Sequence, residues 1–294
     1  MTTPCHGLLV IDKPAGITSR DAVDRAQRWF PRGTRIGHTG TLDPLATGVL
    51  VLCIGNATRL TEYVQRMPKT YRAGVILGAR SDTDDADGTI TPAPDVTSPA
   101  LDVVKAALDA FVGEITQVPP AFSAAKIAGR RAYDLARRGK DVTLSPRVVT
   151  VHGIDLLHYA FPRLDIEVRC SKGTYIRSLA RDLGEKLGCG GYIESLRRTR
   201  VGCFDVATAL PADADAETAR LALLPIEAAV SELPRRLLSA TEAARIRQGQ
   251  ALPLMRADEP SAEIAMFDEQ GKLVAVGVVD RKHGCVRPNR VMAD

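Results

Sequence analysis

"GHTGTLDPLATGVLVLCIG", residues 37 to 55, changes character halfway along. Gly48 to Ile54 is an unbroken apolar run and predicts a short buried strand. Just upstream, Asp43 stands between Leu42 and Pro44. Proline keeps the residue before it out of helical geometry, so Asp43 belongs on an extended or turning backbone. Gly37, Gly40 and the Thr47-Gly48 pair punctuate both sides, as expected of a loop held close to the core. No lysine or arginine lies between Gly37 and Asn56 to balance the carboxylate. Aspartate before proline is a common turn opener, so a turn and an acid with a chemical task both account for it. The choice between them rests on the rest of the chain.

The chain has 294 residues, enough for a large core and two domains, and its 45% hydrophobic and 25% charged content is that of an ordinary soluble protein. No apolar run approaches the roughly 20 residues that span a bilayer. The opening "MTTPCHGLLVIDKPAG" has no basic region followed by a signal-length apolar stretch. A cytoplasmic location is expected. Cys5, Cys53, Cys170, Cys189, Cys203 and Cys285 show no CxxC spacing, which argues against zinc and against a disulfide framework. Cys53 and Cys170 lie in or beside apolar strand patterns and read as core filling. The histidines show no HxH or HExxH spacing, and neither GxxxxGK[ST] nor GxGxxG occurs, so no metal and no nucleotide cofactor is expected.

Net charge is only +4, but it is unevenly spread. From Lys126 to Arg147 seven basic residues, among them Arg130, Arg131, Arg137 and Arg138, face two aspartates, a local +5 that leaves the rest of the chain at −1. Such a run is either a solvated helix face or a phosphate-binding surface. Strand patterns recur at Gly7–Ile11, Gly48–Ile54, Tyr71–Leu77, Val148–Leu157 and Leu164–Cys170. Helical patterns occupy Ser19–Phe30, with Ser19 as N-cap, Leu101–Phe111 and Thr174–Leu187. The spacing is too irregular for a βαβ repeat, so an α+β domain with a large, mostly antiparallel sheet is expected. The alanine-rich, acidic stretch 209–224 reads as a helix and connector. Beyond Pro234, "LLSATEAARIRQGQAL" reads as a short capped helix ending at Gly249, and residues 264–279 as a hairpin around Glu-Gln-Gly-Lys, followed by a basic tail. These residues read as a small β-rich appended domain.

"GHTGTLDPLATGVL" resembles the catalytic motif of the TruB family of tRNA pseudouridine synthases. "GLLVIDKPAGITS" (7–19) is similar to the family's opening strand and Lys-Pro turn, and "KTYRAGVILGARSDTDDADG" (69–88) to its tyrosine-bearing strand and acidic loop. "PPAFSAAKIAGRRAYDLARRG" (119–139) resembles its RNA-gripping insertion, "CSKGTYIRSLARDLGEKLG" (170–188) its arginine motif, and "YIESLRRTRVGCF" (192–204) continues the match. The resemblance runs in order along nearly the whole chain. It implies a pseudouridine synthase domain over residues 1–233, with an RNA-gripping insertion at about 119–147, and a PUA-like RNA-binding domain over 234–294. It implies Asp43 as the catalytic aspartate, Tyr71 as the tyrosine that stacks on the target base and takes part in removing the C5 proton, and Arg177 as the arginine paired with the aspartate. Lys13, His38, Tyr175 and Leu196 fall on positions that form the pocket or shape the RNA loop, and Lys126, Arg130, Arg131, Arg137 and Arg138 on the RNA grip. The implied substrate is uridine 55 in the T stem-loop of tRNA, handled without cofactor, membrane or obligate protein partner by a monomer.

Elementary chemistry points the same way. Moving uracil from an N1 to a C5 linkage involves no redox change and no phosphate transfer. One ionised carboxylate suffices as nucleophile or base, and a nearby guanidinium would lower its pKa. An isolated strand tyrosine such as Tyr71 is core or a stacking plate for an extracted base; His38 serves the pocket or caps a turn. "RRTR" at 197–200 would extend the basic surface. Two other readings remain: a guide-RNA-dependent synthase, which predicts protein partners, and a non-catalytic tRNA clamp, which needs none of Asp43, Tyr71 and Arg177.

Overall fold

A computed structural model describes residues 5–94, 96–123, 126–127, 130–131, 144–258, 260 and 262–292. In chain order the strands are β1 (Gly7–Lys13), β2 (Ile36–His38), β3 (Thr47–Ile54), β4 (Lys69–Leu77), β5 (Ala79–Ser81), β6 (Ile90–Pro92), β7 (Gly113–Gln117), β8 (Lys126–Ile127), β9 (Arg130–Arg131), β10 (Arg147–Ala160), β11 (Arg163–Cys170), β12 (Gly191–Val201), β13 (Phe204–Asp205), β14 (Leu210–Pro211), β15 (Arg235–Leu237), β16 (Leu252–Pro253), β17 (Glu263–Phe267), β18 (Leu273–Asp280) and β19 (Cys285–Val291). The helices are α1 (Ser19–Ala26), α2 (Thr61–Arg66), α3 (Leu101–Asp109), α4 (Ile176–Lys186), α5 (Ala216–Leu221) and α6 (Ala240–Arg247). A ten-stranded sheet runs β14-β1-β3-β12-β4-β11-β10-β7, with β2 against β3 and β13 against β12. Only β1–β14 and β12–β3 are parallel pairs in it, so the sheet is mixed and mostly antiparallel, as expected. No helix among the described residues is long and apolar enough to cross a membrane.

The apolar runs of β1 and β3 are continuous because both faces of the sheet are covered. Leu9, Ile11, Leu50, Leu52 and Ile54 point into a core shared with α1, α3 and α4. Leu8, Val10, Val49, Val51 and Cys53 point into a second core on the opposite face. Cys53 and Cys170 are buried, and burial pushes each thiol up to about 11, so they serve as core residues.

Three expectations about local structure need correction. The first helix is capped by Thr18, not Ser19: the Thr18 hydroxyl accepts from the Asp21 amide at 3.1 Å, and the Asp21 carboxylate accepts from the Thr18 amide at 2.8 Å. Its α-helical segment stops at Ala26 and tightens into a single 3-10 turn through Trp29. β12 has no counterpart among the expected strands, yet it lies near the centre of the sheet, between β3 and β4. Its buried positions include Arg198, which hides it from any search for apolar alternation.

Residues 235–291 form a five-stranded sheet in the order β15-β17-β18-β19-β16, with α6 against it. Ser239 and Glu242 make a capping box at the start of α6, and Gly249, at φ +80°, follows its end. The 264–279 hairpin is present as β17 and β18. This sheet does not stand apart: Ala265, Phe267, Leu273, Val276 and Met292 complete the second core beneath β1 and β3. Glu263 reinforces the junction by accepting from Tyr63 at 3.2 Å and pairing with Arg66.

Gly48 lies where β12 crosses nearest to β3. It has φ +100°, and a Cβ there would sit 2.1 Å from the Arg198 carbonyl oxygen, an immovable backbone atom. Gly113, at φ +106°, has open space around the same position. Gly113→Ala should therefore cost about 1–2 kcal/mol from backbone strain alone. Gly48→Ala should cost about 3 kcal/mol or more, because strain adds to a clash that forces β3 and β12 away from each other. Urea midpoints of the two variants check this; equal losses would show that the β3–β12 crossing yields easily.

Candidate active site

Several segments converge on a pocket of about 490 Å³. The turn before β3 supplies Asp43, β4 supplies Tyr71, β12 supplies Leu196 and Arg198, and the link from β11 into α4 supplies Tyr175 and Arg177. Asp43 is the one carboxylate among the described residues that line it.

The Asp43 turn is braced from beneath. Its Ala46 amide donates to the Asp43 carbonyl at 3.1 Å, and the Gly16 amide to the Pro44 carbonyl at 2.9 Å. Ser19, freed from capping, accepts from the Leu42 amide at 2.8 Å and donates to the Leu42 carbonyl. Lys13 is fully buried under the turn, donating to the carbonyls of Pro14 and Ile17 at 2.9 and 2.7 Å and reaching Pro44 at 3.4 Å. Burial pulls the Lys13 ammonium down to about 8, with Arg198 adding to the fall and Asp43 opposing it. Lys13 thus shapes the turn and does not line the pocket.

Arg177 lies in the first turn of α4, where the helix dipole disfavours a cation. Two carboxylates offset that cost. Its Nη2 meets Asp43 Oδ2 at 3.0 Å and donates to the Phe122 carbonyl at 2.8 Å; its Nη1 meets Asp85 Oδ2 and the Thr83 carbonyl, each at 3.0 Å. The Arg177–Asp85 pair is about 95% buried on both sides, whereas 36% of the Asp43 side chain remains open to the pocket. Removing either partner of such a buried pair strands a charge, at a cost of about 3–5 kcal/mol. Asp85 is itself held in place: the Thr83 hydroxyl donates to it at 2.6 Å, within a loop whose Asp84 adopts φ +62° and pairs with Arg181 at 2.9 Å. Gln117 fixes the entry to α4, exchanging two hydrogen bonds with the Tyr175 backbone at 2.8 and 3.0 Å.

The carboxyl of Asp43 titrates above its ordinary value. Burial pushes it up and the neighbouring Asp85 adds to that; Arg177 and Lys13 pull the other way. The expectation that an arginine alone would set the direction is corrected: burial outweighs it. Solvent reaching the open third of the side chain tempers the rise. Tyr71 is 9% exposed, and burial raises its phenol while Arg198 lowers it.

Asp43, Tyr71, Tyr175, Arg177 and Leu196 therefore meet in one pocket, and Lys13 supports it. His38 lies on β2, opposite Leu52, and is not among the lining residues. Lys126 and Arg130 fall on a short hairpin, β8–β9, that also carries Arg131; Arg137 and Arg138 lie outside the described residues. The 197–200 arginines do not form a basic surface. Arg197 pairs with Asp12 at 2.6 Å and Arg200 with Asp205 at 2.7 Å, while buried Arg198 donates to the carbonyls of Val49 and Gly40. Arg198 and Asp85 are site residues that the sequence reading missed. The acidic loop was visible, but not which of its aspartates turns inward. Arg147, at the end of the basic run, lines the pocket and lies over the Tyr175 ring at 5.1 Å.

Comparison with known proteins places this geometry. Residues 28–176 match the model of the "TruB family pseudouridylate synthase (N terminal domain)", 177–231 the "tRNA pseudouridylate synthase B C-terminal domain", and 234–292 the "Pseudouridine synthase II TruB, C-terminal" model. The chain is 45% identical to tRNA pseudouridine synthase B of Xanthomonas oryzae pv. oryzae, over 98% of this chain and 94% of the relative. It is 43% identical to the protein of that name from Dehalococcoides mccartyi, over 92% and 91%. Among solved structures it resembles a chain of a Cbf5-Nop10-Gar1 complex, with TM-score 0.72 and 25% identity over 98% of this chain and 84% of that one. A chain of an H/ACA RNP bound to a substrate RNA has the same fold, with TM-score 0.73 at 22% identity over 100% and 92%. With three consecutive family models and near-full-length relatives all of one kind, the chain belongs to the TruB family of pseudouridylate synthases.

Proposed function

We propose that this protein isomerises uridine 55 in the T loop of tRNA to pseudouridine, with Asp43 as the catalytic carboxylate. The observation that carries the proposal is the 3.0 Å pair between Asp43 and Arg177 at the wall of a pocket that Tyr71 also lines. The names of the 43–45% identical relatives support tRNA as the substrate.

The reaction breaks N1–C1′, turns the uracil and joins C5 to C1′; the C5 proton is lost to a base and N1 takes up a proton, so the product is an isomer and no co-reactant is consumed. The glycosidic bond is out of reach while the base is stacked, so the nucleotide must leave the loop at a cost of a few kcal/mol. Tyr71 and Leu196 offer the extracted uracil an aromatic and apolar seat. Asp43 acts on the nucleotide as nucleophile or base. Arg177 holds one of its oxygens and leaves the other to the substrate, which fixes the direction of attack. Burial favours the neutral phenol of Tyr71, and Arg198 opposes it; only the phenolate could accept the C5 proton. The basic run from Lys126 to Arg147 contacts phosphates of the T stem. On this reading residues 1–233 are the catalytic domain, and 234–294 a PUA-like unit that binds RNA.

Asp43→Asn is nearly isosteric and keeps the turn, but an amide is neither nucleophile nor base. Pseudouridine should be undetectable in single-turnover assays, with tRNA affinity within about threefold of wild type. A rate within about tenfold of wild type would return Asp43 to the role of a turn residue. Arg177→Lys keeps the charge but loses the fork that spans two carboxylates and two carbonyls. Turnover should fall about 100-fold or more at nearly unchanged affinity; near-normal turnover would remove Arg177 from the site. The ionised carboxylate is the working form, so the rate should fall as pH drops through the folded-state pKa of Asp43. That acid limb should lie above 3.8, the ordinary aspartate value. A limb at or below that value in single-turnover pH profiles would contradict the burial of Asp43.

A further inference from the structure

Three arginines are buried among the described residues: Arg177, Arg198 and Arg236. Two of them carry carboxylates. Arg177 meets Asp43 and Asp85, each at 3.0 Å, and Arg236 meets Asp258 at 2.8 Å and Glu242 at 3.0 Å. Arg198, the most deeply buried of the three, forms no ion pair among the described residues. Its Nε donates to the Val49 carbonyl at 2.7 Å and its Nη2 to the Gly40 carbonyl at 3.1 Å. Carbonyl dipoles offset part of the desolvation but leave a full positive charge unmatched.

That charge lies against a phenol. Arg198 on β12 pairs directly with Tyr71 on β4 across the antiparallel ladder, and both line the pocket. Side chains directly opposite on one face of such a ladder are within contact range. The guanidinium is close enough to the Tyr71 hydroxyl for a hydrogen bond that favours the phenolate. Asp43 from the turn and Cys170 from β11 face the same hydroxyl and favour the neutral phenol, as burial does. The resting tyrosine is therefore neutral. The cation beside it is held ready for an anion that exists only during turnover.

We propose that Arg198 is a positioning residue for proton transfer, holding Tyr71 as a transient phenolate so that one hydroxyl serves both proton steps of the isomerisation. The inference rests on the reaction proposed above. When N1–C1′ breaks, its electron pair leaves with N1, and Tyr71 gives N1 its hydroxyl proton. The phenolate so formed is paired with Arg198. C5 then bonds to C1′ with the C5=C6 electron pair. The phenolate takes the C5 proton, which restores the double bond and the phenol. N1 and C5 are both attached to C6, and turning the uracil exchanges their places, so one oxygen can serve both. The tyrosine ends the cycle as it began, and no second base is needed.

The test is single-turnover pseudouridine formation by Arg198→Gln, on tRNA transcribed with ordinary uridine or with uridine deuterated at C5. Glutamine can still donate to a loop carbonyl but carries no charge. The rate should fall about 100-fold at unchanged tRNA affinity. The deuterium effect should exceed that of wild type, because loss of the C5 proton becomes the slow step. Fluorotyrosine in place of Tyr71, whose phenol ionises more readily, should return most of the rate to the Arg198→Gln variant. A residue that merely braced the turn would give a slow variant with an unchanged deuterium effect and no gain from the fluorinated phenol; that outcome overturns the proposal. So does a loss of tRNA affinity at an unchanged rate, which would assign the cation to an RNA phosphate. If the glutamine variant does not fold by circular dichroism, Arg198→Lys carries the same readouts. Lysine keeps the charge but loses the planar fork, so the deuterium effect should rise and fluorotyrosine should reverse it; an effect equal to that of wild type overturns the proposal. The two readings fail distinguishably. Absence of pseudouridine with the wild-type protein refutes the function and this inference with it. An active wild-type enzyme whose deuterium effect ignores Arg198 refutes this inference alone.

Discussion

The guanidinium of Arg177 is the point on which the site depends. It is nearly buried, it sits at the wrong end of a helix for its charge, and two aspartates from distant segments share it. The division of labour between those aspartates follows from their surroundings. Asp85 is sealed in and neutralises the cation; Asp43 keeps a third of its side chain open. Without the first, the second would have to satisfy the whole guanidinium and would lose its freedom toward a substrate. The acidic loop, the α4 junction and the β3 turn can therefore be placed only together.

The sheet makes this convergence possible. β12 pairs with β4 along most of its length but touches β3 at only two positions, Arg197–Thr47 and Arg198–Gly48. The Asp43 turn leads directly into Thr47, the first residue of that short parallel contact. Arg198 bridges the contact from within, donating to Val49 at 2.7 Å and Gly40 at 3.1 Å. A charged side chain thus ties together a weakly paired seam near the centre of the sheet, with its hydrogen bonds offsetting its desolvation.

What the sequence revealed tracks how each segment obtains its stability. β1 and β3 are held by apolar burial on both faces, and their runs are legible on sight. β12 is held by pairing and by a buried arginine, so the periodicity that marks a strand is absent. Ser19 looks like a cap because serine is a good one, but Thr18 has the geometry, and the serine hydroxyl serves the Leu42 backbone twenty-three residues away. In the site, Asp43 could be singled out because proline and glycines frame it. Asp85 is one of four aspartates between Asp82 and Asp87, and only the path of the chain decides which of them reaches Arg177. Likewise a run of arginines at 197–200 signals charge, but not that one of them faces inward.

The second core has a consequence for how such a protein can be inherited. A unit joined by a bare linker can be shed, exchanged or copied onto another scaffold with little harm to either side. Here Phe267, Leu273 and Val276 of the small sheet belong to the interior as fully as Leu8 and Val51 of the large one. A cut near residue 233 would uncover both halves of that interior at once, leaving each a broad oily face exposed to water. The terminal sheet therefore travels with its partner as a single heritable body, and drift in one half is answerable to the other.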